Sequence, residues 1–319
     1  MKKILLTLMM VVGIASAAWA QVDDVTLVVS GEGATKDEAT SKALRSAIEQ
    51  AFGVFVSANT EILNDELVKD DIATVSSGNI KSYKELGSTT KDNGNIEVSL
   101  QAVVSTRNLA AYTQSHGAQT EFAGATYAAN MKLVELNRKN TQKALTDLKK
   151  QLEELEKDLI DCEIETGIPQ ENGTMSVTLS YYANQNIENF YTILIGTLRA
   201  LSIPESMHSS IYSQGIKTYK YTITQNRYSE NIMLYYPIEE LKLNKEWGKY
   251  NYYIVDNLGK KYTPELSRIV HNRILPLNVP KPMLKHKVPG RCLVRTEYGT
   301  ITFDKATIDK VTGFEVKKR

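Results

Sequence analysis

Side chains that could carry out chemistry are sparse in this chain and seldom near one another. The four histidines, His116, His208, His271 and His286, are scattered, and none falls into an HExxH or other metal-ligand spacing. No Gly-x-Ser-x-Gly elbow and no phosphate-binding loop occur. The two cysteines, Cys162 and Cys292, lie outside any signature that marks a nucleophile, and their separation resembles no metal site. The 37 Asp and Glu residues leave a carboxylate pair for glycoside hydrolysis open, because such a pair meets only in space. The expectation is a protein without catalytic, cofactor-binding or metal-binding residues and not an enzyme. A secreted carboxylate-dependent hydrolase is the second alternative.

One run imitates cofactor chemistry. Gly31-x-Gly33-x-x-Lys36 follows the apolar Val25–Val29 and precedes a helical pattern, as the start of a dinucleotide fingerprint does. Lys36 replaces the third glycine of that fingerprint, and a plain strand-to-helix turn accounts for the other two. No cofactor is expected.

Binding is better represented than catalysis. Fourteen of the seventeen tyrosines follow residue 180, and Trp247, Tyr250, Tyr252 and Tyr253 could present flat faces to a sugar ring or a peptide. Alternating tyrosines also suit a half-buried strand, so both readings stay open. From Lys260 to Arg319 there are 14 Lys and Arg against 5 Asp and Glu. That excess suits an ordinary solvated face or contact with an anionic envelope polymer. The whole chain carries only +1, which gives no support for nucleic-acid binding.

The N-terminus reads as a secretory signal peptide over residues 1–20. Lys2 and Lys3 precede an apolar run from Ile4 to Ile14, and Ala18-Trp19-Ala20 supplies the small-x-small cleavage pattern, so cleavage is expected between Ala20 and Gln21. Without Lys2 and Lys3 the formal charge falls from +1 to −1. No later stretch has the roughly 18 apolar residues of a membrane helix. A periplasmic or secreted protein is expected, with no transmembrane segment in the mature chain. In an oxidising compartment Cys162 and Cys292 could pair with each other, pair between subunits or stay as buried thiols.

After Val25–Val29, Thr35 and Glu38 have capping-box spacing, and Ala39, Ala43, Ala47 and Ala51 recur every fourth residue along the helix they open. Ile62 to Ile72 gives a second helical pattern. Ile80–Leu86 reads as a strand, and Ile96 to Val104 alternate as a strand with one buried face. Three of these runs, Gly31-Glu32-Gly33-Ala34-Thr35-Lys36-Asp37-Glu38-Ala39, Ala51-Phe52-Gly53-Val54 and Ile80-Lys81-Ser82-Tyr83-Lys84, resemble the N-terminal domain of flagellar assembly protein T and related envelope proteins over about residues 25–105. The resemblance implies a small α+β domain serving envelope assembly rather than catalysis.

Between Glu121 and about Glu165 there is no proline. Leu145, Leu148, Leu152, Leu155 and Leu159 fall on one heptad seam, with Cys162 continuing it, and Lys149, Lys150, Glu153, Glu154 and Glu156 lie outside it. The seam could form a homodimer through residues 131–162, bind another partner, or fold back on the chain's own domains. Beyond it, Met175–Tyr182 reads as a strand and Ile187 to Leu198 as a helix ended by Pro204. Several short strands follow, two of them (Leu293–Thr296 and Thr300–Phe303) joined by a tight turn at Glu297-Tyr298-Gly299.

The fold expected is therefore α+β in three parts: an N-terminal domain at 21–115, a long coiled-coil-like helix at 116–168, and a β-rich, Tyr-rich C-terminal domain at 169–319. The function expected is that of an exported cell-envelope accessory or assembly protein acting through protein–protein contacts. An envelope glycan- or polymer-binding module is the first alternative.

Overall fold

The computed structural model describes residues 24–55, 78–108, 111, 126–225, 228–238, 252–271, 283–286, 293–304, 306 and 308–318. The signal peptide with its Ala20–Gln21 junction, the 62–72 helix, Trp247, Tyr250 and Cys292 lie outside the described residues. The chain divides into two compact units, one of residues 1–26, 48–82 and 103–136, the other of residues 27–47, 83–102 and 137–319. In the first, Lys81 pairs with Asp24 at 2.7 Å and the Asn108 amide donates to the Gly78 carbonyl at 2.8 Å. The second holds the main core.

Strand β1 (Asp24–Gly33) leads into helix α1 (Lys36–Phe55). The helix opens as its sequence predicts. Thr35 Oγ1 accepts from the Glu38 amide at 3.2 Å, and Glu38 Oε2 accepts from the Ala34 amide at 2.9 Å, so two otherwise unpaired amides are satisfied. Ala39, Ala43 and Ala47 are fully buried. Their small side chains let α1 come so close to β1 that a Cβ on Gly31 would sit 3.0 Å from Ala43 Cα, with the Ala39 carbonyl oxygen nearer still. Both glycines, Gly31 and Gly33, serve this close packing. Strands β2 (Ile80–Thr90) and β3 (Ile96–Ser105) complete a three-stranded sheet in the order β1-β3-β2.

Helix α2 runs from Thr126 to Glu156 and overturns the expected coiled coil. It stops twelve residues short of the predicted end at 168, and strand β4 (Ile160–Thr166) follows it. Leu148 and Leu152 are 1% and 0% exposed, and Leu145, Leu155 and Leu159 are buried with them in one core cluster that includes Met175, Val177 and Phe190 of the same chain. The leucine seam is therefore spent inside the protomer and is not the free surface expected of a coiled coil over 131–162. Among the described residues the chain is a β-rich α/β mixture, 43% strand and 36% helix, with no free-standing coiled coil.

A second face of α2 is polar and grips the first sheet. The Asn140 side chain accepts from the Val28 amide at 3.0 Å and donates to the Val28 carbonyl at 2.7 Å, standing in for a neighbouring strand along the edge of β1. Ser30 donates to Asp147 at 2.9 Å and Ser99 to Gln151 at 2.9 Å. Such buried polar contacts fix the register of helix on sheet, because losing one partner strands the other without water.

The rest of the chain forms three more sheets. Strand β5 (Thr174–Ala183) precedes helix α3 (Asn186–Ala200), which buries eight of its fifteen residues, and the short α4 (Glu205–Ser213). Strands β6 (Tyr219–Gln225), β7 (Tyr228–Leu234), β8 (Tyr252–Asp256), β9 (Lys261–Tyr262), β10 (Glu265–His271), β11 (Met283–His286), β12 (Leu293–Thr302) and β13 (Phe314–Lys318) follow. They join β4 and β5 in sheets ordered β10-β12-β5-β4, β11-β6-β7 and β13-β8-β9. The tight turn expected at Glu297-Tyr298-Gly299 is absent: β12 runs straight through, pairing antiparallel with β5 from Leu293 opposite Tyr182 to Thr302 opposite Thr174.

One ion cluster ties β1 to β3. Lys91 lies 2.5 Å from Glu32 and 3.0 Å from Glu97. Hydrogen bonds from Lys91, Asn95 and Asn93 hold the Glu32 carboxyl down to about 2, whereas burial raises the pKa of Glu97 despite Lys91. The two act in opposite senses. Glu32 contributes stability above its unfolded value near 4.5 that is lost as pH falls toward 2. Glu97 contributes stability at low pH that is lost as pH rises through its raised folded value. Glu97→Gln is therefore expected to raise the urea midpoint at pH 7 and leave it unchanged near pH 3. Glu32→Gln should lower it at pH 7. Equal midpoints for Glu97→Gln and the parent at pH 7 would show that the Lys91 pairing outweighs burial.

Candidate functional site

The sheet β13-β8-β9 brings part of the predicted aromatic surface together with the basic C-terminal region. Its register sets which side chains share a face: Lys317 stands opposite Tyr253, Val316 opposite Ile254, Glu315 opposite Val255, and Lys261 opposite Val255 from the other side. Successive residues of a strand point to opposite faces. Tyr252 and Tyr253 therefore part company.

Tyr252 turns inward. Its hydroxyl donates to the Ile160 carbonyl, its ring lies 6.1 Å from that of Tyr181, and burial pushes its pKa up. Ile254 and Tyr262 are buried beside it, and Phe314 meets Tyr262 edge to face at 5.5 Å. Tyr252 is thus half-buried, packed against the core and anchored to β4 by its hydroxyl.

Tyr253, itself half-buried, lies on the face opposite Tyr252. Lys261 Nζ sits 4.4 Å from its ring centroid, a cation–π contact, and Lys317 flanks it from β13. Lys317 also reaches Glu315 at 2.6 Å, and that hydrogen bond raises its pKa, so it stays charged at any physiological pH. The Lys317 and Glu315 side chains are 51% and 61% exposed, so their pairing is screened and adds little to stability. Lys261 owes its position to Asp256, whose carboxylate accepts from the Tyr262 hydroxyl at 2.7 Å and from the Leu258 and Lys260 amides at 2.9 Å each. These bonds close the turn between β8 and β9, with Gly259 at φ +85°. They hold the Asp256 pKa low even though burial alone would raise it. The exposed part of a ring flanked by two cations can contact a sugar and pair with its acidic groups.

No known family, characterised protein or solved structure matches this chain.

The other predicted groups fall elsewhere. Cys162 is a free thiol on β4, directly opposite Tyr181. Burial is the main influence on it and pushes its pKa up to about 12, so it is protonated and a poor nucleophile. Next to it Tyr181 donates to Glu297 at 2.8 Å and Arg295 pairs with the same carboxylate. This buried carboxylate and Asp256 lie on different sheets, each held by its own structural partners. His208 approaches the Ile203 carbonyl at 3.0 Å, and His271 is exposed on β10. Among the described residues no group of three or more His, Cys, Asp or Glu could hold a metal ion. Among them, too, no helix is long and apolar enough to cross a membrane. Sequence reasoning missed Lys261 and Lys317 as individuals. The Lys260-Lys261-Tyr262 and Val316-Lys317-Lys318 runs, each placing Lys beside an apolar residue within the basic region, were the available signal.

Proposed function

We propose that this protein is exported to the cell envelope and acts there by binding an anionic polymer, with Tyr253, Lys261 and Lys317 as the contact. The placement of the Tyr253 ring between two lysines carries the reading. The net excess of positive charge from Lys260 to Arg319 supports it, since clustered cations attract a polyanion before contact. The signal-peptide pattern and the likeness of residues 25–105 to an envelope-assembly domain support the location. The helical contact surface that had favoured a protein partner is consumed by the core, which moves the polymer reading to the front.

The test is retention of the mature protein on an immobilised acidic polysaccharide against a neutral one. Retention on the acidic matrix alone is expected, weakening as salt rises. The double change Lys261→Glu and Lys317→Glu should cut affinity by about tenfold or more, which corresponds to roughly 1.4 kcal/mol. Both side chains are exposed, so the melting temperature should hold. Retention unmoved by the double change would remove this face as the contact.

A further inference from the structure

The four-stranded sheet β10-β12-β5-β4 has two edges, and they are treated differently. Beside β4 runs β13, and the Tyr252 hydroxyl is bonded to the β4 carbonyl of Ile160. At the other edge, among the described residues, β12 is the one element that β10 contacts substantially. Every residue of β10 is exposed except the half-buried Val270. An open strand edge is a row of unpaired amides and carbonyls that templates a further strand.

The side chains on this edge are sorted by a bulge. Between Leu266 and Arg268 the register slips by one residue, so that Leu266 faces Gly299, Arg268 faces Tyr298 and Ile269 faces Glu297. Leu266 and Ile269, three apart in sequence, thereby share one face of the sheet, each 44% exposed. Glu265 and Arg268 share the other face, where the Arg268 guanidinium lies 5.9 Å from the Tyr298 ring. A bulge commonly blunts an edge. Here it also gathers two apolar groups on one side and two opposite charges on the other. Neither charge has an ion-pair partner among the described residues.

We propose that two copies of this chain pair edge to edge through β10, joining their sheets into one antiparallel sheet about a two-fold axis between Ser267 and Arg268. In that register Leu266 meets Ile269 of the second copy, and by symmetry Ile269 meets Leu266, so the contact occurs twice and both exposed apolar residues are covered. On the opposite face Glu265 lies diagonal to Arg268 of the second copy, giving two ion pairs. Shifting the axis onto Arg268 would set two like charges directly opposite and leave the apolar residues mismatched, so the strand selects one register. The contact is isologous and closes at two copies. Seven residues of strand cover less than the roughly 800 Å² per partner of a standard interface, which places the dissociation constant in about the micromolar range or weaker.

Sedimentation velocity on the mature chain from about 1 to about 500 µM spans that range. A mass moving from monomer to dimer is expected. Glu265→Arg and Arg268→Glu should each weaken dimerisation about tenfold, and the double variant should recover most of it. Hydrogen exchange of the 265–271 amides in the unaltered protein should slow as concentration rises, a readout that needs no variant. A monomer throughout, assembly beyond the dimer, a dimer indifferent to both charge changes, or unchanged exchange in 265–271 would each overturn the proposal. Slowed exchange caused only by an added partner protein would assign the edge to an extended peptide instead.

Discussion

Leu152→Lys is expected to yield no folded protein, and Leu152→Ala to lower stability by about 2–5 kcal/mol. Leu152 is completely buried, one turn from Leu148, and both side chains lie in the cluster that also takes in residues of β5 and α3. Truncation removes the transfer free energy of the lost carbons and leaves a void that rigid neighbours fill only in part. Lysine is worse, because the ammonium would be carried into a site without water or a counter-charge. A helix whose leucines served only to bind a partner would behave in the opposite way. There the lysine variant would fold normally and lose association alone. Urea unfolding of Leu148→Ala and Leu152→Ala beside size-exclusion of the lysine variant separates the two. A folded Leu152→Lys protein with an unchanged urea midpoint would refute the core placement of α2.

What the sequence disclosed follows from how local each determinant is. The capping box at Thr35 and Glu38 and the alanine row of α1 are short-range patterns, and both appear as expected. The leucine seam was equally visible, but periodicity says only that a face is apolar and is silent on what covers it. Its C-terminal end was misread for a definite reason. Leu159 and Cys162 happen to fit the heptad, and this masked the period-two alternation of Ile160, Cys162 and Ile164 with Asp161, Glu163 and Glu165 that makes β4. Gly299 was taken for a turn residue. It sits in mid-strand because a Cβ there would come within 2.7 Å of the Glu265 carbonyl oxygen. Strand β10 escaped notice because its bulge breaks the alternation by which strands are recognised. The site was half legible for the same kind of reason. Tyr253 and the basic region could be picked out, yet only the pairing of β13 and β9 with β8 puts Lys317 and Lys261 on the Tyr253 face and sends Tyr252 to the other.

Gly31→Ala should be among the most damaging single-methyl additions to this chain, at about 3 kcal/mol or more. The usual cost of overpacking is limited by the freedom of neighbouring side chains to move aside. Here the atoms in the way are the Ala39 carbonyl oxygen, the Ala43 amide nitrogen and the Ala43 Cα, all of them helix backbone. Relieving the clash requires α1 to lift from β1. That would uncover Ala39, Ala43 and Ala47 together and disturb the capping box at the start of the same helix. Nor does φ explain the need for glycine at this position, since Gly31 is not among the glycines with positive φ. The close approach alone demands it. Gly313→Ala provides the matched comparison. A Cβ at Gly313 meets nothing within 4 Å, and the backbone there is open to L residues. That change should be neutral, or stabilising by about 0.4–1 kcal/mol through a less disordered unfolded chain. Thermal melts of the two variants beside the parent give the readout. Were Gly31→Ala to melt with the parent, the tight seating of α1 on β1 would be wrong, and the Gly31-x-Gly33 pattern would need another cause.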